Sequence, residues 1–385
     1  MTIPPLTTGI PYIESDASLE VPPPYHFPGV TVHAFVWEAQ MAPIQAYCDR
    51  FFNLGTAQER GFVYRAAAFW PYAMLLLLDY PEMIASSRRW TVAAHYGNQG
   101  ILRQREVFVA VPVVRYGLGA RRLAADTDLE FALPVIVVDD PNSAICGREM
   151  LGLGKMVAEI ELGTAEYPDS FAGKVRLPGW ATMAPNEVQS VLPFLEVTTA
   201  PALPTFRGSA DVLSPWTLLQ SREGGWLMSG LTSLADFTEQ VSAGIVPTAM
   251  RTVQLKQFRD AAHPERAVYQ SLVTCRSYYA NIRGFSFFNE KDVDIAFHDV
   301  GSFAGILRVF LDLPGSESEP TGKTVGPTPV AGFTFTADVD FDNMRTLHTF
   351  PVDRGPGVAP VPQSSDLAAQ WLRPWRGLFA KAPAP

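Results

Sequence analysis

Gly147-Arg148-Glu149-Met150-Leu151-Gly152-Leu153-Gly154-Lys155-Met156 is a glycine-broken apolar segment that ends on one lysine. Directly after it comes the strand-like run Met156-Val157-Ala158-Glu159-Ile160-Glu161-Leu162. Lysine is scarce in this chain, whose basic charge is mostly arginine. An ammonium among Leu151, Leu153, Met156 and Val157 loses hydration if the segment is buried, and burial favours the neutral amine. A neutral amine on a pocket floor can attack a carbonyl carbon and form a Schiff base. The alternative is an ordinary strand-start lysine that buries its stem and wets its head.

Working outward, a β-rich pattern surrounds this stretch. Residues 30–37 are β-branched and aromatic and read as a strand. Residues 41–52 read as a helix, with Ile44, Cys48, Phe51 and Phe52 on one side and Pro43 in its first turn. Residues 66–78 form a run apolar on both faces, hence a central strand. Residues 105–114 form another strand, with Glu106 near one end and Pro112 marking an edge or a bulge. Residues 133–138 and the turn Asp139-Asp140-Pro141-Asn142 lead into a short helix over 143–151, with Asn142 as its N-cap and Gly152 as its stop.

Beyond Lys155 the pattern predicts strands near 171–177, 191–198, 252–258, 267–279, 285–288 and 332–341. A helix is expected near 234–241, where Phe237 and Val241 share a face, and a short one at 366–372. Residues 303–310 fit a strand or a helix, and 313–330 are a loop by composition. Many strands with few helices and no alternating βαβ rhythm give an α+β class, mainly antiparallel β. Residues 1–29 are proline-rich and read as an extended arm, 30–350 as a single β-rich domain with loop insertions, and 351–385 as a Pro/Gly-rich tail.

Composition narrows the function classes. The chain has 385 residues, 47% hydrophobic and 18% charged, enough for a substantial core. A net charge of −9, with no basic run interleaved with aromatics, argues against nucleic acid. The longest apolar run, 66–78, contains Pro71 and is shorter than the roughly 18–20 residues of a membrane span. The start of the sequence lacks the basic-then-apolar pattern of a signal peptide. Three scattered cysteines, Cys48, Cys146 and Cys275, make no disulfide framework and suit a reducing cytoplasm.

Several motifs fail. Gly152-Leu153-Gly154-Lys155 is not a phosphate loop, because Glu149 stands where glycine is needed and Met156 where Ser or Thr is needed. Val157 spoils a dinucleotide GxGxxG. The six histidines make no metal-ligand spacing, and there is no G-x-S-x-G elbow, so neither metal nor cofactor is expected.

Gly147-Arg148-Glu149, five residues and then Lys155 resembles the acetoacetate decarboxylase family, whose GRE segment leads to a Schiff-base lysine. Upstream, Glu106-Val107-Phe108-Val109-Ala110-Val111-Pro112-Val113 is similar to that family's E-x-x-x-A-I-P-V strand, whose glutamate faces the active site. The resemblance implies a closed β-barrel or cone with a few flanking helices, Lys155 as nucleophile and Glu106 as general acid/base. It also implies a keto acid or ketone substrate and a homo-oligomer. The departures are informative. The family's second lysine is Met156 here, its usual proline before the nucleophile is Gly154, its N-terminal arginine would fall near Val30, and a second acid would fall in the run ending at Leu78. With the carboxylate-holding groups missing, the resemblance points to an aldolase-dehydratase or cyclase type of Schiff-base lyase. The alternatives are a β-keto acid decarboxylase and a non-catalytic binder of small apolar ligands on the same barrel. Candidate substrate-binding residues are Arg148, Glu149, Met156 and Tyr278, with Tyr279 as the other phenol in question. Arg148 and Glu149 also suit a helix-end scaffold, Glu106 an ion pair with Arg103, Arg105 or Arg148, and either tyrosine a place in the core.

Overall fold

The computed structural model describes residues 23–68, 71–85, 103–118, 129–164, 170–180, 185–199, 248–288, 292–298, 323–325, 329 and 331–351. The expected helices near 234–241 and 366–372, the run 303–310, most of the loop 313–330 and residues 1–22 lie outside them. The elements begin with β1 (Tyr25–Glu38), α1 (Met41–Phe51), α2 (Ala57–Arg60), β2 (Phe62–Ala66), β3 (Tyr72–Tyr80) and β4 (Ile84–Ala85). Next come β5 (Gln104–Gly117), β6 (Leu129–Val138), α3 (Pro141–Glu149), β7 (Met156–Val157), β8 (Glu159–Thr164) and β9 (Phe171–Gly179). The rest are β10 (Ser190–Thr199), β11 (Thr248–Arg259), β12 (Ala267–Phe288), β13 (Val293–His298), β14 (Lys323–Val325), β15 (Ala331–Phe341) and β16 (Arg345–Thr349).

The larger sheet closes on itself. β1 pairs β3, β3 pairs β5, β5 pairs β6, β6 pairs β11, β11 pairs β12, β12 pairs β15, and β15 returns to β1. Every step in this ring of seven strands is antiparallel except β6–β11, so the barrel is mixed but dominated by antiparallel pairs. A second sheet, in the order β14-β13-β10-β9-β8, is antiparallel throughout. This is the α+β, mainly antiparallel barrel that the sequence led us to expect.

Closure explains why β1, β3, β5 and β6 are apolar on both faces. Side chains alternate across a strand, so each face needs its own cover. One face of β3, with Met74, Leu76, Leu78 and Tyr80, joins residues from β1, β5, β6, β12 and β15 in the barrel interior. The other, with Ala73, Leu75 and Leu77, packs under α1 and the second sheet in a core that includes Ile44, Phe171, Leu195 and Phe297.

Three local expectations are corrected and one is decided. Run 66–78 is not one strand: β2 ends at Ala66 and β3 starts at Tyr72, after Pro71, which has no N–H and whose carbonyl accepts from Ala39 N–H at 2.8 Å. Of the two expectations for Pro112, an edge or a bulge, the second holds, since β5 has partners on both sides and its register against β6 shifts beside Pro112, between Val109 and Val111. The segments 267–279 and 285–288 are one strand, β12, whose register shifts at Arg283 while Asn281 and Gly284 take positive φ. The cap of α3 is Asp140, not Asn142, with Pro141 in the first turn. The first strand also starts at Tyr25, before the expected Val30, and pairs there with β15 and β4.

Candidate active site

The site is assembled on β6, with β5 on one side and β7 on the other. Glu106 of β5 is opposite Val138, and Val138 is in turn opposite Val157 of β7. Lys155, which immediately precedes β7, therefore reaches the same level of the barrel as Glu106.

The segment between them is built to deliver the lysine inward. Asp140 Oδ1 accepts the Ser143 N–H at 2.8 Å and starts α3. That helix turns Ser143, Cys146 and Gly147 toward the barrel, spaced three and four residues apart, and leaves Arg148 and Glu149 exposed. The chain then folds back. Leu151 and Leu153 donate their N–H groups to the Gly147 carbonyl at 3.2 and 2.9 Å, and Lys155 N–H donates to Leu153 O at 2.7 Å. Gly152 makes the bend with φ +69, and a β-carbon there would lie 2.6 Å from Lys256 Cβ on β11. Gly147 is needed for a different reason, because its missing β-carbon leaves room for the lysine stem: Lys155 Cδ would be only 2.6 Å away.

Lys155 is 6% exposed and Glu106 5%. The lysine Nζ lies 2.5 Å from Glu106 Oε2 and donates to Ser143 Oγ at 3.1 Å. Both side chains border a cavity of about 50 Å³, enough for roughly three to five waters at ~10–15 Å³ each. Its other polar walls are Gln104, Tyr25 and Tyr80, and its apolar walls include Phe27, Met83, Leu151 and Phe341. Burial, reinforced by Glu106 and Tyr279, raises the Tyr80 phenol well above its ordinary value. Burial, then Glu106, pushes Tyr279 up to about 12. Near neutral pH these phenols therefore keep their protons and can only donate or accept hydrogen bonds, not act as bases.

The other residues singled out in the sequence are placed as follows. Arg148 reaches back to the Lys155 carbonyl at 3.4 Å and so braces the main chain. Glu149 is exposed and faces Lys256, whose pKa burial lowers and Glu149 raises. Met156 packs on the outer core, away from the cavity. Tyr278 is half-buried beside Arg251, whereas Tyr279 is buried in the barrel interior, edge-on to Phe335. Val30, near which the family's arginine would fall, is fully buried in the interior, and β3 presents Leu76, Leu78 and Tyr80 there instead of a second acid. Asp79 pairs with Arg103 at 3.2 Å.

Sequence reading missed Gln104 and Ser143. Both were within reach: Gln104 lies two residues from Glu106 on one strand, hence on its face, and Ser143 lies one helical turn before Gly147.

No family model matches the chain, and no curated protein matches its sequence. Solved structures do resemble it. An acetoacetate decarboxylase from Legionella pneumophila is 11% identical over 89% of this chain and 94% of its own, with a TM-score of 0.49. The enduracididine biosynthesis enzyme MppR is 11% identical over 86% of this chain and 90% of its own, with a TM-score of 0.48. An acetoacetate decarboxylase-like enzyme from Sphingomonas wittichii is 12% identical over 89% of this chain and all of its own, with a TM-score of 0.46. Several of the similar structures are thus acetoacetate decarboxylases or enzymes described as like them.

Proposed function

We propose that this protein is a Schiff-base lyase that acts on a small keto compound through Lys155, with Glu106 as its general acid and base. One observation carries the reading: the Lys155 amine and the Glu106 carboxylate meet at 2.5 Å, both buried, on the wall of a cavity. A buried ion pair is seldom a gain in stability over apolar residues, because desolvating two charges offsets their attraction. Such a pair at a cavity suits proton traffic instead.

Glu106 takes a proton from the ammonium, and the neutral amine attacks the substrate carbonyl carbon. The resulting carbinolamine loses water when Glu106 returns the proton to its hydroxyl group. The iminium left on Lys155 then accepts the electron pair released when a proton or a carbon substituent departs from the neighbouring carbon. Glu106 again handles the proton, and hydrolysis returns the free amine. Ser143 Oγ, as acceptor for the ammonium, is a positioning residue that holds the nitrogen toward Glu106.

Cyanoborohydride reduction in the presence of a panel of small ketones, aldehydes and keto acids is expected to leave a mass adduct on Lys155. Glu106→Gln should slow trapping by about 100-fold or more, the usual size of a lost general acid/base. Lys155→Met strands Glu106 without its partner, which alone can cost about 3–5 kcal/mol. The Lys155→Met/Glu106→Gln double variant removes that penalty and should fold normally yet trap nothing. A folded double variant that still carries the adduct refutes the assignment.

A further inference from the structure

We propose that the carbonyl compound taken by this cavity is uncharged and carries a hydroxyl or N–H group that donates to Gln104. The proposal rests on the Schiff-base reading above and narrows it to a substrate class.

Charge is the first ground. Among the described residues lining the cavity, Lys155 is the cation and Glu106 the anion, already matched at 2.5 Å. Iminium formation keeps the positive charge on the same nitrogen, so the pair stays balanced. A substrate carboxylate would add a second negative charge among Phe27, Met83, Leu151, Leu153 and Phe341. Taking an unpaired ion out of water costs several kcal/mol even after relaxation. Nearby cations are engaged elsewhere. Arg148 is turned to the Lys155 carbonyl, Arg105 to Ile160 O at 2.9 Å and Asp139, and Lys256 to Met150 O at 3.2 Å.

Gln104 is the second and independent ground. Its side chain is 3% exposed, borders the cavity, and has an amide oxygen with no hydrogen-bond partner among the described residues. A buried acceptor left without a donor is destabilising, so one on a residue that lines a cavity invites a donor from whatever fills the cavity. Gln104 lies two residues along β5 from Glu106 and on the same face, roughly 7 Å away by strand rise. A hydroxy ketone held with its carbonyl carbon at the Lys155 amine carries a hydroxyl hydrogen that can be offered to the Gln104 amide.

Three probes of similar size separate the cases: hydroxyacetone (neutral, with a donor), butanone (neutral, without one) and pyruvate (anionic). Each is trapped with cyanoborohydride, and each rate is divided by that of the same compound with Nα-acetyllysine, whose side-chain amine is free, to remove intrinsic reactivity. Hydroxyacetone is expected to label Lys155 at least tenfold better than pyruvate. Gln104→Leu should bring the ratio of hydroxyacetone to butanone labelling down to about one. Pyruvate labelling equal to or above that of hydroxyacetone overturns the proposal while the Schiff-base reading stands. So does a Gln104→Leu effect of equal size on both ketones. No adduct from any probe on folded protein defeats the Schiff-base reading itself.

Discussion

At Gly147 a hydrogen atom is the only side chain that leaves Lys155 its path. An added β-carbon would meet three carbons of the lysine stem at 2.6, 2.9 and 3.1 Å. Because the crowded atoms belong to a flexible side chain, the stem would move rather than the helix, carrying the amine away from Glu106. Gly147→Ala is therefore expected to reduce Lys155 trapping by about 100-fold, the scale of an ångström-sized misplacement. Its melting temperature should stay close to that of the parent. Parallel trapping and thermal melts check this, and a variant that melts early while trapping normally contradicts it. The glycine was legible as part of a motif, but its reason was not, since the lysine that crosses it arrives from the far end of a folded-back loop. Gln104 shows the opposite case: strand alternation places it beside Glu106, while an amide oxygen with no partner among the described residues is visible only in the folded chain.

Among the elements, the turn between α3 and β7 sets the height at which the lysine enters the barrel. Gly152 is locked there by a positive φ and by the Lys256 main chain, whose Cα would be 3.0 Å from an added β-carbon. Neither constraint can be relieved by moving a side-chain tip. Gly152→Ala should destabilise the protein by about 2–4 kcal/mol, combining left-handed strain with overpacking. Gly154, two residues on, has a negative or extended φ and open space around it, so Gly154→Ala should change stability by less than about 0.5 kcal/mol. Urea unfolding of the pair measures the contrast, and equal losses would refute it. Element positions were largely readable from alternation and turn residues, as for α1 and the strand holding Glu106. The misreadings share a cause. The apolar run 66–78 hides a break because Ala67 and most of β3 are buried on either side of Pro71, and β12 conceals its unity because Asn281 and Gly284 look like a turn while the ladder to β15 continues past them.

For the molecule as a whole, the barrel and the second sheet meet over His33. Its ring stacks on Phe171 with centroids 3.9 Å apart, and its Nδ1 is buried without a hydrogen-bond partner among the described residues. Burial lowers its pKa from an ordinary 6.5 to about 4, although Asp79 pulls it upward. Between those values the unfolded chain binds a proton that the folded chain does not, so stability is present above about pH 6.5 and is lost as pH falls toward 4. His33→Phe keeps an aromatic ring against Phe171 and removes the titration. The fall in urea midpoint from pH 7 to pH 4.5 should be smaller in the variant than in the parent, and an equal fall would remove His33 from the account.

The amino-acid order alone fixed the strand-rich character, the two-sided burial of a central strand and the candidacy of Lys155, because periodicity and local chemistry are written along the chain, whereas Glu106 became a candidate through the resemblance of its strand to a known family. The order of strands around the ring, the division between barrel interior and outer core, and the meeting of amine, carboxylate, hydroxyl and amide at one cavity came only with tertiary structure. Those contacts join β5, α3 and the segment before β7, which are far apart in sequence, and the register of β6 between its neighbours sets which side chains share a level.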